Sequence, residues 1–273
     1  MTPLPRTYLF VPGNRAERFD KALASGADAV VLDLEDAVAP ADKPGARDAV
    51  AHHLALTPPH ELARLVIRIN DSSTPWFDSD LAMLRSHNAA CVLLPKAETP
   101  ASIAVLRAAC PAIAVLALIE SARGVLGAPA IAAAPGLQRL VFGTIDFALD
   151  LGLSGDPVGF DTAASLIALA SRAAGLVSPV AGVTASIDDE ALLLVELARA
   201  RAHGFGAKLC IHPKQVAPIH RALQPSAAEL DWARRVIAAT QDHAGAVQVD
   251  GRMVDKPVLQ RAHSLLAGQG GAR

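Results

Sequence analysis

The sequence predicts a (β/α)8 barrel, a TIM barrel, carrying a C-terminal helical and hairpin extension. Three observations predict it. Short apolar runs alternate with helix-length amphipathic segments along most of the chain. Several of those runs, such as VVLDL, CVLL and AVLALI, are almost continuously apolar, as strands are when helices cover both faces of a parallel sheet. Eight such units in about 220 residues favour a closed barrel over a doubly wound open sheet, the rival architecture for the same alternation. No GxGxxG or Walker pattern supports the nucleotide-binding form of that rival.

The predicted strands cover 8–11, 29–34, 65–69, 90–94, 114–119, 139–142, 178–181 and 207–211. Helical periodicity covers 15–25, 41–56, 78–87, 99–108, 160–173 and 187–203, with Gly or Pro at most joins. The barrel domain is assigned to 1–224 and the extension to 225–273. In the extension, 229–244 reads as a helix, AVQVDGRMVD as a hairpin turning at Asp250–Gly251, and 257–266 as a short helix before a Gly-rich end. Such a segment serves as a lid or as an arm exchanged between subunits.

Composition narrows the function. Of 273 residues, Lys+Arg number 25 against Asp+Glu 27, a net charge of -2 that lacks the basic surplus a nucleic-acid binder needs. At 52% hydrophobic and 19% charged, the chain is too apolar for disorder. No run approaches the roughly 18 uninterrupted apolar residues of a membrane helix. The first residues, MTPLPRTYLFVPGN, lack the basic segment and long apolar core of a signal peptide. Cys91, Cys110 and Cys210 are odd in number and far apart, so they form neither a disulfide framework nor a zinc pattern. A cytoplasmic enzyme is the expectation.

In a parallel barrel the active site lies at the C-terminal ends of the strands. The polar residues gather there: Asp33, Glu35 and Asp36, Arg68 and Asn70, Lys96 and Glu98, Glu120, Asp146 and His212. Buried charge is costly unless paired or bound to an ion, so this distribution is the main functional signal. Glu120 and Asp146 follow adjacent strands and can converge on one hard cation, with water and substrate completing its shell. Alternatively, Glu120 pairs with Arg123 and Asp146 caps the next segment. Arg68 can grip a carboxylate or polarise a carbonyl oxygen, or bridge to Glu35 or Asp36, and the two roles are compatible. Arg15, Arg18 and Lys21 either attract substrate phosphates or are ordinary helix-surface charge. His212 sits beside Pro213 at a helix start, where a local hydrogen bond suffices. Asp255 reads as a cap for the helix beginning at Pro257, unless a folded-over or swapped tail brings it to a site.

The segments TYLFVPGNRAERFDKA, DAVVLDLEDAVAPADK, RIN, LLPKAE, ALIESARGV, GTIDFALDLG, GAKLCIHPKQV and GRMVDKP, in register from about Arg6 to about Ala262, resemble the citrate lyase beta-subunit (CitE-like) branch of the HpcH/HpaI aldolase superfamily. The resemblance implies a TIM barrel, bound Mg2+ and a homotrimer. It implies lyase or Claisen chemistry on 3-hydroxyacyl thioesters of coenzyme A or an acyl-carrier protein, such as citramalyl, malyl or citryl groups, with an added thioesterase step in some relatives. By motif, Glu120 and Asp146 match metal ligands and Arg68 the substrate-binding arginine. Glu35 and Asp36 match acidic residues at the metal-site rim. Phe10 and Lys21 match positions near the thioester or its nucleotide end, and Ile211 and His212 the stretch that holds the acyl arm. Asp255 matches an acid/base aspartate that reaches a neighbouring subunit. The first helix, RAERFDK, has fewer lysines than some coenzyme A-binding relatives. Two other readings stand beside this one: a metal-dependent aldolase acting on free 2-oxo-3-deoxy acids, and a non-catalytic subunit of a lyase complex.

Overall fold

Eight apolar strands and their covering helices close on themselves: each strand pairs in parallel with the next, and β8 returns to β1. The computed structural model describes residues 4–87, 89–241 and 247–267. Its barrel strands are β1 (Thr7–Pro12), β2 (Ala29–Asp33), β3 (Leu65–Arg68), β4 (Cys91–Leu94), β5 (Ala114–Ile119), β6 (Leu137–Phe142), β7 (Val180–Ala181) and β8 (Ala207–Cys210). The helices are α1 (Phe19–Leu23), α2 (Lys43–Leu56), α3 (Pro59–Leu62), α4 (Phe77–Ser86), α5 (Pro100–Ala109), α6 (Ala122–Ala132), α7 (Thr144–Leu151), α8 (Asp161–Ala173), α9 (Glu190–Ala202) and α10 (Val216–Leu223). A second set follows: α11 (Ala227–Gln241), β9 (Val247–Val249), β10 (Arg252–Val254) and α12 (Lys256–Ala267). No described helix is long and apolar enough to cross a membrane.

Side chains alternate across a strand, so every second residue faces the barrel interior. Tyr8, Ala29, Val31, Val66, Leu93, Leu116, Leu118, Val141, Val180, Ala207 and Leu209 fill it as one buried cluster. The interior is therefore packed rather than hollow. The intervening residues, such as Val30, Leu32 and Ile67, are equally buried under the helices, which is why the strands read as continuous apolar runs.

Three departures from the predicted elements have local causes. The seventh strand keeps only two residues, because Pro179 has no N–H for a ladder and the Ser178 carbonyl accepts from Arg139 instead. The first helix shrinks to five residues after a tight 3-10 turn at Ala16–Arg18, closed by the Arg18 N–H on the Arg15 carbonyl. Helix α6, with two glycines and Pro129 inside, has too little helical propensity to be read from sequence. The glycines answer to packing: a Cβ at Gly127 would lie 2.6 Å from the Glu98 carbonyl.

By compactness the chain divides into Pro5–Ile219, which holds the barrel, and a unit that begins at His220. In the latter, Ala233, Val236, Val254 and Ala262 make a small core of their own. The expected hairpin turns at Asp250 (φ 52) and Gly251 (φ 75), the two left-handed residues of a type I′ turn. The helix expected to reach 244 and the Gly-rich terminus extend outside the described residues.

Candidate active site

Alternation extends from the core to the barrel mouth. Two residues beyond the inward Val31 stands Asp33; beyond Val66, Arg68; beyond Leu118, Glu120; beyond Val141, Gly143; beyond Leu209, Ile211; beyond Tyr8, Phe10. Register then brings them side by side, with Asp33 directly opposite Arg68 on the neighbouring strand.

Arg68 is 9% exposed and held from several sides. Its Nε and Nη2 donate to the two carboxylate oxygens of Asp33 at 2.7 and 2.5 Å, the bidentate geometry that fixes a guanidinium plane. Nη1 lies 2.8 Å from Glu35 Oε2 and 3.6 Å from Asp36, and the Phe10 ring stacks 4.9 Å from the guanidinium carbon. Burial works against the charge, but Asp33, Glu35 and Asp36 outweigh it and hold Arg68 cationic. A guanidinium has five N–H donors and Asp33 takes two, which leaves donors for an incoming oxygen. Glu35 Oε2 is close to Arg68 yet accepts no aligned hydrogen bond, and it is buried. Burial, with Asp36 and Asp33 nearby, pushes the Glu35 carboxyl up to about 7 against the pull of Arg68 and Lys96.

Glu120 is 4% exposed. Its Oε1 accepts the main-chain N–H of Lys96 at 2.7 Å. Burial and the charges of Glu35 and Asp146 raise its carboxyl to about 8, with the Lys96 N–H and Arg68 acting the other way. Asp146, in the first turn of α7, is thus near enough for its charge to register on Glu120. Gly143 makes the room: a Cβ there would lie 2.6 Å from Glu120 Cβ and 2.8 Å from Oε2. Lys96 itself has φ 48, and its Nζ donates to Glu35 Oε1 at 3.3 Å. Crowded carboxylates with raised affinity for protons, one oxygen of Glu35 lacking a donor, are a donor set suited to a hard divalent cation. Among the described residues no three His, Cys, Asp or Glu side chains converge as metal ligands. A cation here would thus rest on one or two carboxylates plus water and substrate, as magnesium does.

The loops that carry these groups are tied from behind. Buried Lys43 donates to the carbonyls of Leu34 and Glu35 at 2.8 and 2.9 Å and lies against the Trp76 ring. Asp80, fully buried, accepts from the Asn70 N–H and Nδ2 at 2.9 and 2.7 Å and from Arg47 at 2.7 Å. These hold the segments after β2 and β3.

A model of the HpcH/HpaI aldolase/citrate lyase family matches residues 6–213. The chain belongs to that family. A second model, of C–C bond lyases of the TIM-barrel fold, matches residues 160–267. The citrate lyase subunit beta-like protein of Mycobacterium tuberculosis is 40% identical over 272 residues, covering 97% of this chain and 96% of its own length. The (3S)-malyl-CoA thioesterase of Cereibacter sphaeroides is 35% identical over 268 residues, covering 96% and 93%. The crystal structure of CitE from M. tuberculosis in complex with magnesium, acetoacetate and coenzyme A matches with a TM-score of 0.87 at 39% identity, covering 97% of this chain and 98% of that one.

Within this CitE-like lyase frame, the structure brings Phe10, Glu35, Asp36, Arg68, Glu120 and Asp146 to one end of the barrel. Glu98, not Glu120, is the partner of Arg123, at 3.7 Å. Lys21 is exposed on α1. Ile211 is partly exposed and its N–H donates to Gln215 Oε1. His212 caps the turn at Pro213–Gln215, its Nδ1 accepting from the Lys214 N–H, the local bond that sequence reading allowed. Asp255 lies in the second unit, exposed, and its Oδ1 accepts the Val258 N–H, so it does cap α12. Sequence reading passed over Lys43 and Gly143, and it placed Asp33 at the strand end without giving it a partner. That partner was recoverable, because Asp33 and Arg68 both fall on the inward parity of neighbouring strands.

Proposed function

We propose that this chain is a Mg2+-dependent carbon–carbon lyase cleaving a 3-hydroxyacyl-coenzyme A thioester to a 2-oxo acid and an acetyl thioester, or running that reaction in reverse. The observation that carries the reading is the crowding of Glu35 and Glu120 beside Arg68 at the barrel mouth, with Asp146 near enough to act on Glu120. It leaves negative charge for a cation to neutralise and a fixed guanidinium for the substrate's oxygens. The family membership and the complexes formed by relatives support it.

Glu120 and Asp146 would hold the Mg2+, and when bound the ion supplies Lewis-acid stabilisation of developing oxygen charge. Arg68 binds the carboxylate and hydroxyl end of the acyl group and neutralises that oxygen as it becomes the keto oxygen of the product. Asp33 fixes the guanidinium plane, and Glu35 and Asp36 orient its remaining face. Glu35, with a carboxyl near 7 and one oxygen without a donor, accepts the hydroxyl proton. The carbon–carbon bond breaks and its electron pair leaves on the thioester enolate. Asp255, contributed by another copy of the chain, donates the proton that converts the enolate to the acetyl thioester, and removes it in reverse. Phe10, Ile211 and His212 line the path of the acyl arm, and Lys21 meets the nucleotide end.

A homotrimer and a cytoplasmic location complete the reading. Helices α6 to α9 leave Leu126, Ile145, Leu149, Leu169 and Val195 largely in solvent, with Leu126 and Leu149 at 79% and 81% exposure, apolar side chains that a subunit contact would cover. The three cysteines are free thiols, in keeping with a reducing compartment.

The test is a panel of malyl-, citramalyl- and citryl-CoA, with Mg2+ and with EDTA, read by product mass. A 2-oxo acid plus acetyl-CoA in the Mg2+ arm alone is the expected result. Free 3-hydroxy acid plus coenzyme A would indicate a thioesterase, and no turnover of any thioester would overturn the proposal.

A further inference from the structure

Lys96 ends the segment after β4 in a backbone conformation that glycine adopts freely and L side chains rarely do, φ 48. If only the bend mattered, glycine would serve. The lysine side chain instead reaches Glu35 Oε1 at 3.3 Å, while the bend itself turns the Lys96 N–H onto Glu120 Oε1 at 2.7 Å. The following N–H, of Ala97, returns to the Leu118 carbonyl at 3.0 Å, so the strain is confined to one residue. The other oxygen of Glu35 lies 2.8 Å from Arg68 Nη1.

We propose that Lys96 is a positioning residue working through two separate atoms: its main-chain N–H fixes one oxygen of Glu120, and its ammonium aligns Glu35 and, through Glu35, the substrate-facing guanidinium of Arg68. This deepens the lyase reading and rests on it. Three strand ends, after β2, β4 and β5, are thereby tied by one residue. Lys96 is 49% exposed along its side chain, so truncating it opens no cavity in the core.

The test compares Lys96→Gly, Lys96→Met and Lys96→Arg with the wild-type protein. Gly keeps the bend and the N–H on Glu120, whereas Met keeps the strain and removes only the charge. The Gly variant should melt at or above the Met variant, and both should bind Mn2+ within about twofold of wild type by calorimetry, because the main-chain bond survives. Both should lose about 10–100-fold in kcat/KM and weaken Mn2+-dependent pyruvate binding, the scale of losing an outer partner of a site group. Lys96→Arg should recover most of that loss. A purely structural lysine would move melting and Mn2+ affinity together with activity. Wild-type kcat/KM and pyruvate affinity in Lys96→Gly would overturn the inference. A wild-type chain inert on every thioester would overturn the lyase reading separately. The Lys96 inference would then be decided by pyruvate binding, with equal binding by wild type and Lys96→Gly overturning it.

Discussion

The two ends of the barrel bury charge in opposite ways. At the N-terminal end, Arg139 is 2% exposed and donates Nε to the Ser178 carbonyl and Nη1 to the Pro5 carbonyl and the Tyr8 hydroxyl. Asp28 beside it accepts the N–H groups of Arg6 and Thr7. At the C-terminal end, Asp33, Glu35, Asp36, Glu120 and Asp146 face the cations Arg68 and Lys96, and carboxyl groups are driven toward protonation by burial and by one another. The first arrangement is closed and closes the barrel. The second is held in place by packing elsewhere, and in the proposed reaction a ligand completes it. That proposal separates a stability function from a chemical one at the two rims of one sheet.

The largest effect that would break this contrast is at Glu120. Glu120→Gln keeps the oxygen that accepts from Lys96 but removes the charge. Activity should fall by more than the roughly 10–100-fold expected for an outer partner, with Mg2+ affinity falling in parallel. At pH 8 the metal-free protein should nevertheless gain stability, by about 1 kcal/mol or more, because a repelling buried charge is gone. Melting with EDTA, set against Mg2+ calorimetry, reads both signs. A variant that lost stability and activity together would place Glu120 with Arg139 as a structural group.

Arg139→Met should do the reverse. It leaves two carbonyls and a hydroxyl without their donor, and an unmade buried hydrogen bond costs about 1–3 kcal/mol each. A loss of about 3 kcal/mol or more by urea unfolding, with unchanged kcat per folded molecule, is the expected outcome. A selective loss of kcat would show that the two rims are coupled.

Much of this was legible in the sequence, and the reasons differ by level. The strands could be read because burial on both faces leaves a chemical trace in each residue of a run such as AVLALI. The site's charged residues could be read because polar groups at the end of an apolar run are conspicuous. Their partners were read only in part. Arg68 was expected to meet Glu35 or Asp36 and lies against both, at 2.8 and 3.6 Å, but its bidentate partner is Asp33, fixed by a strand register that no local pattern encodes. Gly143 was silent and Lys96 was read only as a mouth residue, since what matters at each is a close approach or a backbone angle. Asp255 was read as a helix cap and is one. That contact neither requires nor forbids its proposed role in a second copy of the chain.

The smallest expected effect is also the one that compares the rims most directly, the pH dependence of stability. Glu35 and Glu120 are pushed from an ordinary 4.5 to about 7 and about 8 in the folded chain. The folded state therefore holds protons that the unfolded state releases, and stability falls as pH rises through that window. The contribution is fully present below about 4.5 and spent above about 8, with a slope of at most about 1.4 kcal/mol per pH unit for each carboxyl in the metal-free protein between them. Saturating Mg2+ should reduce the slope, because an ion held by Glu120 needs that carboxylate ionised and removes its share of the advantage of protonation, and Mg2+ affinity should rise by up to about tenfold per pH unit below 8. Arg139→Met should shift the whole metal-free curve down with its slope intact, whereas Glu120→Gln should make it shallower. Calorimetric melting at four pH values, with EDTA and with Mg2+, separates these cases. A metal-free curve that is level from pH 5 to pH 8 would mean that the carboxylates of the mouth are as fully paired as the arginine at the base.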